Sequence, residues 1–211
     1  MGLFGGNKTN SSGSLYAEFK AENAPVEYTA TSGKVGRSAK EDIVVTSIVP
    51  GCGGTYISAA IANYLADINR GRVALVGDSK DTYVKPLLRT QILQKEYPVD
   101  IQDVYSICDC VVQDIGCYEN IDEVKGLSLA RASTKIIVCH ADDDCMRQLA
   151  VFAKERPDAD RFYYLFNVLP EEWKKKVFRT MNIYEAYCLP LFSVKSPDKE
   201  TSIILRKILG R

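Results

Sequence analysis

The stretch SIVPGCGGT at residues 47–55 decides the fold, because it joins two segments whose apolar residues repeat with different periods. Residues 43–48 form a short apolar, β-branched run, which predicts a strand. Residues 55–69 place their large apolar side chains close to one stripe at helical spacing, which predicts a helix. A strand that leads through a glycine-rich turn into a helix is the opening unit of an α/β sheet.

The glycines of this loop point to an anion site. Gly51, Gly53 and Gly54 allow the backbone to turn its N–H groups inward, and Thr55 begins the predicted helix. The N-terminus of a helix carries a partial positive charge, so the turn is suited to phosphate. A tight turn without a ligand is the other interpretation, and three glycines in four residues favour an ancestral phosphate site.

Short apolar runs alternate with helical patterns through the rest of the chain, which predicts an α/β fold: a doubly wound, mostly parallel sheet with helices on both faces. In such a sheet, ligands bind beyond the carboxyl ends of the strands, so the residues after each strand are the functional candidates. The predicted strands are residues 43–48, 72–76, 110–115, 135–139, 162–168 and 187–192. The predicted helices are residues 55–69, 81–95 (interrupted near Pro86), 145–154, 171–181 and 199–209.

Composition separates the chain into two parts and excludes several classes of protein. Residues 1–40 are rich in Gly, Ser, Thr, Asn and Lys and are expected to form a flexible N-terminal arm, followed by the α/β domain at residues 41–211. Twenty-seven basic residues balance twenty-seven acidic ones, so there is no direct nucleic-acid signal. No apolar run reaches the roughly 18 residues of a membrane span, and the first residues, which have no long apolar core, are not expected to act as a secretory signal. Seven cysteines, an odd number, fit a reduced cytoplasmic protein.

Three further segments complete a specific pattern. GRVALVGDSKD at residues 71–81 ends its strand on Asp78, CDCVVQDIG at residues 108–116 carries Asp114, and RFYYLFNV at residues 161–168 carries Asn167. Together with the glycine loop, they resemble the ParA/MinD branch of the SIMIBI-class P-loop ATPases, whose deviant loop reads Ser-x-Lys-Gly-Gly-x-Gly-Lys-Thr. The resemblance covers about residues 41–211 and implies a P-loop NTPase fold.

The resemblance also implies a role for each matching residue. In an active protein, Asp78 and Asp114 would be catalytic, with Asp78 supporting the attacking water. Thr55 and Asp114 would hold Mg²⁺ beside ATP or ADP. The nucleotide-binding residues implied in this way are Gly51, Cys52, Gly53, Gly54, Thr55, Tyr56 and, at the base, Asn167.

The departures from the family loop concern its two cationic side chains. Val49 stands where the signature lysine belongs, Gly54 stands where the phosphate-gripping lysine belongs, and Pro50 removes one N–H. Losing one charged hydrogen bond weakens binding roughly 10- to 100-fold. Hydrolysis should suffer more, because these charges stabilise the charge of the transition state. The loop is therefore interpreted as degenerate, with weak binding of ATP or ADP with Mg²⁺.

A degenerate loop favours a pseudoenzyme that works as a positioning or scaffold subunit of a larger assembly, with protein partners. The TadZ-type components of pilus assembly are relatives of this kind. The segment between Asp78 and Asp114 is short for the family, whose extra helices there help form the usual homodimer.

Two alternatives stay open. The first is an active Mg²⁺-dependent ATPase that retains both carboxylates and replaces the lost lysines with Lys80 or Lys40. The second is a Rossmann-type nucleotide-cofactor enzyme, in which Gly51-x-Gly53 precedes a ribose-binding Asp78, although Tyr56 occupies the third glycine position.

Four smaller features are interpreted structurally. The C-terminal helix at residues 199–209 has an apolar stripe (Ile203, Ile204, Ile208, Leu209) that resembles the membrane-seeking tail of MinD, but the favoured interpretation is a last helix lying on the sheet, which the topology needs anyway. His140, the one histidine, follows a strand and is expected to cap its end. The acidic residues 142–144 are expected to cap the next helix, and Cys108 and Cys110 to lie in the core.

Overall fold

The computed structural model describes residues 41–68, 71–78, 82–167, 169, 171–181, 184–190 and 192–210. The predicted arm at residues 1–40 lies outside these residues, and so do Lys40 and Lys80.

The described residues form one seven-stranded sheet in which all neighbouring strands are parallel. The strands are β1 (Glu41–Ser47), β2 (Val73–Gly77), β3 (Leu93–Glu96), β4 (Cys110–Cys117), β5 (Thr134–Cys139), β6 (Tyr163–Asn167) and β7 (Glu185–Leu189). Their order across the sheet is β3-β2-β4-β1-β5-β6-β7. The predicted doubly wound α/β fold is confirmed, and the glycine loop leaves the central strand β1.

Helices connect the strands in the described part of the chain. They are α1 (Gly54–Asp67), α2 (Ile101–Ile107), α3 (Glu123–Arg131), α4 (Asp143–Glu155), α5 (Glu171–Thr180) and α6 (Lys199–Ile208). Short 3-10 helices occur at Thr82–Leu87, Tyr118–Asn120 and Ala159–Arg161.

The apolar side chains of β2 and β4 alternate between two cores, because successive residues of a strand point to opposite faces of the sheet. Ile43, Val45 and Val112 belong to the main core, which contains the buried face of α1. Val111 and its neighbours on β2 belong to a second core that contains Val104 of α2. The sheet is therefore covered on both faces, as a parallel sheet requires.

The segment after β2 differs from the prediction. The predicted helix at residues 81–95 is wrong: a 3-10 helix with Pro86 inside it is followed by the edge strand β3. Proline lacks the N–H that an α-helix needs in its interior. Strand β3 has the polar sequence LQKE and mostly exposed side chains, so it carries no apolar pattern. The short helices α2 and α3 were not predicted either.

The strand order excludes the Rossmann-type alternative. Strand β4 lies between β1 and β2, whereas the Rossmann order places the first strand beside the second. A carboxylate after β2, here Asp78, is therefore one strand too far from the glycine loop for the ribose contact of that fold.

The last helix, α6, lies on the body of the domain through Thr201, Leu205 and Ile208, which are buried. The predicted apolar stripe is correct for Ile208 and wrong for Ile203, whose side chain is 55% exposed. Among the described residues, no helix is long and apolar enough to cross a membrane.

Candidate functional site at the glycine loop

The helix that follows the glycine loop begins without a side-chain cap. Its N-cap residue is Gly53, in the left-handed conformation at φ +88°. Aspartates occupy the same position in four other helices, where each accepts a hydrogen bond from a backbone N–H; they are Asp100, Asp122, Asp142 and Asp198. The cap at Asp142 confirms the interpretation of the acidic residues 142–144. A glycine cap leaves the positive end of α1 without a competing carboxylate, which suits an anionic ligand.

Position 54, where the family loop has its second lysine, has no room for a side chain beside Ser47. A Cβ atom placed on Gly54 would lie 2.5 Å from the Oγ of Ser47. The Ser47 hydroxyl therefore occupies the space from which a side chain at position 54 would start. A residue larger than glycine fits here only if Ser47 rotates.

Asn167 lies against the loop. Its side-chain Nδ2 donates to the carbonyl oxygen of Cys52 at 3.4 Å, and a Cβ on Gly53 would lie 2.6 Å from the same nitrogen. The strand β6 thus brings Asn167 to the loop, as the resemblance implied. The amide that was expected at the base supports the loop backbone in this structure.

Two buried cysteines, Cys52 in the loop and Cys145 on α4, pack against each other beneath the loop backbone. The side chain of Cys52 is fully buried, and a hydrogen bond with the thiol of Cys145, together with burial, raises its pKa far above the ordinary range. A hydrogen bond with Cys139 raises the pKa of Cys145 to about 12. Because the thiolate is the reactive form of cysteine, these two thiols are packing groups and not nucleophiles.

His140 contacts the loop from the end of β5. Its ring Nε2 lies 2.9 Å from the carbonyl oxygen of Gly51. A carbonyl oxygen only accepts, so Nε2 carries the hydrogen in this contact. Its backbone N–H donates to the sulfur of Cys145 at 3.1 Å. His140, which was expected to cap the end of a strand, therefore also contacts the backbone of the glycine loop.

Asp114 is buried on β4, beside Val45 of β1. Its Oδ1 accepts a hydrogen bond from the backbone N–H of Gly116 at 3.1 Å, and the hydroxyl of Thr46 donates to the carbonyl oxygen of Gly116 at 3.0 Å. These contacts fix the carboxylate on a strand next to the one that leads into the loop. Mg²⁺ is bound in proteins by one or two carboxylates together with substrate phosphates, so Asp114 with the Thr55 hydroxyl fits that donor set.

Asp78 is engaged in an ion pair that the sequence did not reveal. The ammonium of Lys125 lies 2.9 Å and 3.2 Å from its two carboxylate oxygens. The Lys125 side chain is only 12% exposed and also lies over the ring of Tyr97, 5.2 Å from its centroid. Lys125 comes from α3, a helix that was not predicted. The carboxylate implied to support the attacking water is therefore held by a cation of this chain.

The carboxyl edge of the sheet arranges these groups in strand order. Asp78, the glycine loop and His140 follow β2, β1 and β5, while Asp114 and Asn167 lie in the carboxyl-terminal halves of β4 and β6. These five strands are consecutive neighbours in the sheet. The structure brings His140 and Asn167 into contact with the loop. Thr55 is half-buried at the start of α1, and Tyr56 beside it is 43% exposed.

The chain is similar in structure to solved proteins of the ParA and MinD kind. A ParA family ATPase from Chlorobium tepidum TLS matches with a TM-score of 0.58 and 14% identity over 82% of this chain and 98% of that one. The chain has the fold of the ParA and MinD ATPases. A plasmid partition protein from Borrelia burgdorferi bound to AMPPNP matches with a TM-score of 0.58 and 13% identity over 82% and 98% of the two chains.

A chain of the MinC:MinD cell division complex from Aquifex aeolicus matches this ParA/MinD-like chain with a TM-score of 0.58 and 16% identity over 81% and 96%. No family model and no curated protein matches the sequence. In the described residues, no group of three or more histidine, cysteine or acidic side chains is arranged to hold a metal ion by itself.

Proposed function

We propose that this protein binds ATP or ADP with Mg²⁺ weakly at the glycine loop, hydrolyses it little or not at all, and acts as a positioning or scaffold subunit of a larger assembly. One observation carries the proposal: the loop keeps its glycine geometry while Val49 and Gly54 replace both lysines and the Ser47 hydroxyl fills the space at position 54. Backbone N–H groups alone still attract phosphate, but they supply no mobile cation to the transition state.

The contacts of the loop support a binding site without strong catalysis. His140 and Asn167 touch the loop, and neither side chain is permanently charged. Asp78 is paired with Lys125, so its carboxylate would have to leave that pair to orient a water. A similar structure is bound to AMPPNP, and another is a MinC:MinD complex, which makes nucleotide binding and partner assembly the natural expectations for this fold.

Calorimetric titration of the full chain with Mg·ATP and Mg·ADP tests the binding, and phosphate release tests the turnover. We expect weak binding that Asp114→Ala reduces further, and phosphate release at the level of buffer. Asp103→Ala, an exposed acid on α2, is the matched control and should leave binding unchanged. Micromolar affinity with turnover that Asp114→Ala abolishes would overturn the proposal.

An active ATPase is the second candidate, because both carboxylates stand at the carboxyl edge of neighbouring strands. In that case Lys125 would have to leave Asp78 when nucleotide binds. The association state separates the two functions. A scaffold subunit should show the same molar mass by light scattering with and without Mg·ATP, whereas an ATPase that works as a nucleotide-bound dimer should double its mass.

A further inference from the structure

A second polar site lies away from the glycine loop, in a cavity of about 790 Å³ between α2 and α3. That volume is within the range of small-molecule sites, about 300–1,000 Å³. Asp42, on β1, lines it five residues before Ser47. At about 3.3 Å per strand residue, Asp42 lies roughly 16 Å from the start of the loop. The cavity is therefore separate from the candidate nucleotide site.

A hydrogen-bonded network forms the floor of this cavity. The Nε2 of Gln113, which is fully buried, donates to Oδ1 of Asp42 at 2.6 Å. The hydroxyl of Tyr97 donates to Oε1 of Gln113 at 2.8 Å. The Tyr105 hydroxyl lies 3.5 Å from the Gln113 Nε2 and hydrogen-bonds to Asp42. All of these partners of Asp42 are neutral.

Asp42 is a buried carboxylate without a cation. It is 9% exposed, and among the described residues no lysine or arginine forms an ion pair with it. Burial raises the pKa of Asp42, because the charged form loses water. Charged groups in protein interiors are normally paired, so a cation that enters from the cavity would give Asp42 the ion pair that it lacks.

The remaining lining defines the shape of that cation. Two carboxylates, Asp42 and Asp100, and one guanidinium, Arg131, line the cavity, which leaves a net negative charge. Val124 and Leu127 present an apolar wall on α3, and the ring of Tyr105 stands on the other side. A carboxylate beside an aromatic ring suits an ammonium or guanidinium group, and the apolar wall suits a methylene chain.

We propose that the cavity between α2 and α3 binds a small aliphatic amine or guanidine, with its cationic group at Asp42 and its hydrocarbon chain along Val124 and Leu127.

Calorimetric titration of the full chain with agmatine and with butylamine tests the proposal, with butanol as the uncharged analogue of butylamine. We expect saturable binding of the amines and none of butanol. Asp42→Asn keeps the shape and removes the charge, and it should weaken amine binding about 10- to 100-fold. Absence of saturable amine binding at millimolar concentration, or equal binding of butanol, overturns the proposal.

A second pair of variants tests whether the amine binds in this cavity, even if Asp42→Asn does not fold. Val124→Arg places a positive charge at the cavity, and Ile203→Arg places the same charge on α6; the two side chains are 53% and 55% exposed. Val124→Arg should weaken amine binding several-fold, and Ile203→Arg should not. If both variants, or neither, weaken binding, the amine does not bind in this cavity and the proposal fails.

Discussion

Two glycines of the loop form a matched pair that measures how tightly the loop is packed. Gly51 and Gly53 have nearly the same backbone conformation, at φ +85° and +88°. A Cβ on Gly51 meets no atom within 4 Å, whereas a Cβ on Gly53 lies 2.6 Å from Nδ2 of Asn167. Alanine at either position carries the same backbone strain, and only Gly53→Ala also collides with a side chain.

The magnitudes follow from these two contributions. An alanine in the left-handed region costs about 1–2 kcal/mol, so Gly51→Ala should lower the free energy of unfolding by that amount. Gly53→Ala must also displace Asn167 from the carbonyl oxygen of Cys52, and a lost hydrogen bond costs about 0.5–1.5 kcal/mol more. We therefore expect Gly53→Ala to destabilise the protein by about 1.5–3.5 kcal/mol.

Urea unfolding followed by circular dichroism measures both variants, and Asn167→Ala completes the cycle. In the Asn167→Ala background the obstacle is gone, so Gly53→Ala should cost only what Gly51→Ala costs. Equal destabilisation by Gly51→Ala and Gly53→Ala in the wild-type background would show that Asn167 does not pack on the loop. The placement of Asn167 as a support of the loop would then be wrong.

Three other changes test the electrostatics. Gly54→Lys restores a cation where Ser47 now fills the space, and we expect it to tighten Mg·ATP binding about 10- to 100-fold by calorimetry, while the uncharged Gly54→Gln does not. Lys125→Met breaks the pair with Asp78, whose carboxylate is 46% exposed, and also removes the ammonium from the Tyr97 ring. It should cost about 1–2 kcal/mol of unfolding free energy in urea titration, without creating phosphate release. Burial opposes the charge of Asp158, but Arg156 outweighs it and holds the Asp158 pKa below its ordinary 3.8. The stabilising effect of Asp158 over Asp158→Asn should therefore persist from neutral pH down to about 4 and disappear at more acidic pH; a difference that grows on acidification contradicts this pairing.

The strands that are buried on both faces could be predicted, because burial requires a run of apolar residues that is visible in the sequence. Strands β1, β2, β4 and β5 are apolar and β-branched because helices cover both of their faces, and they were found within two residues of their ends. Strand β3 could not be found, because it pairs through its backbone at the edge while its side chains stay polar. Helices α2 and α3 are too short to repeat an apolar period often enough to be recognised.

The candidate site was predictable for the residues that end strands and not for the partners that come from elsewhere. Asp114 and Asn167 follow from strand position alone, because the carboxyl ends of parallel strands share one edge. The pairing of Asp78 with Lys125 joins residues 47 positions apart through a helix with no sequence signal. His140 was discounted as a strand-end residue, although its place after β5 put it at the same edge as the loop.

The contacts of the loop account for its ordered backbone although no lysine stands at positions 49 and 54. The backbone of the loop is held by Asn167 at Cys52, by His140 at Gly51 and by the buried thiol of Cys52. None of these contacts uses a side chain at the positions where the lysines would stand, since Val49 takes part only through its backbone. The contacts that stabilise the loop are therefore made by different atoms from those that would catalyse hydrolysis. A fold shared with ATPases does not by itself imply that a protein hydrolyses ATP. The same separation makes Gly54→Lys informative, since it adds charge without removing any of the contacts that hold the loop backbone.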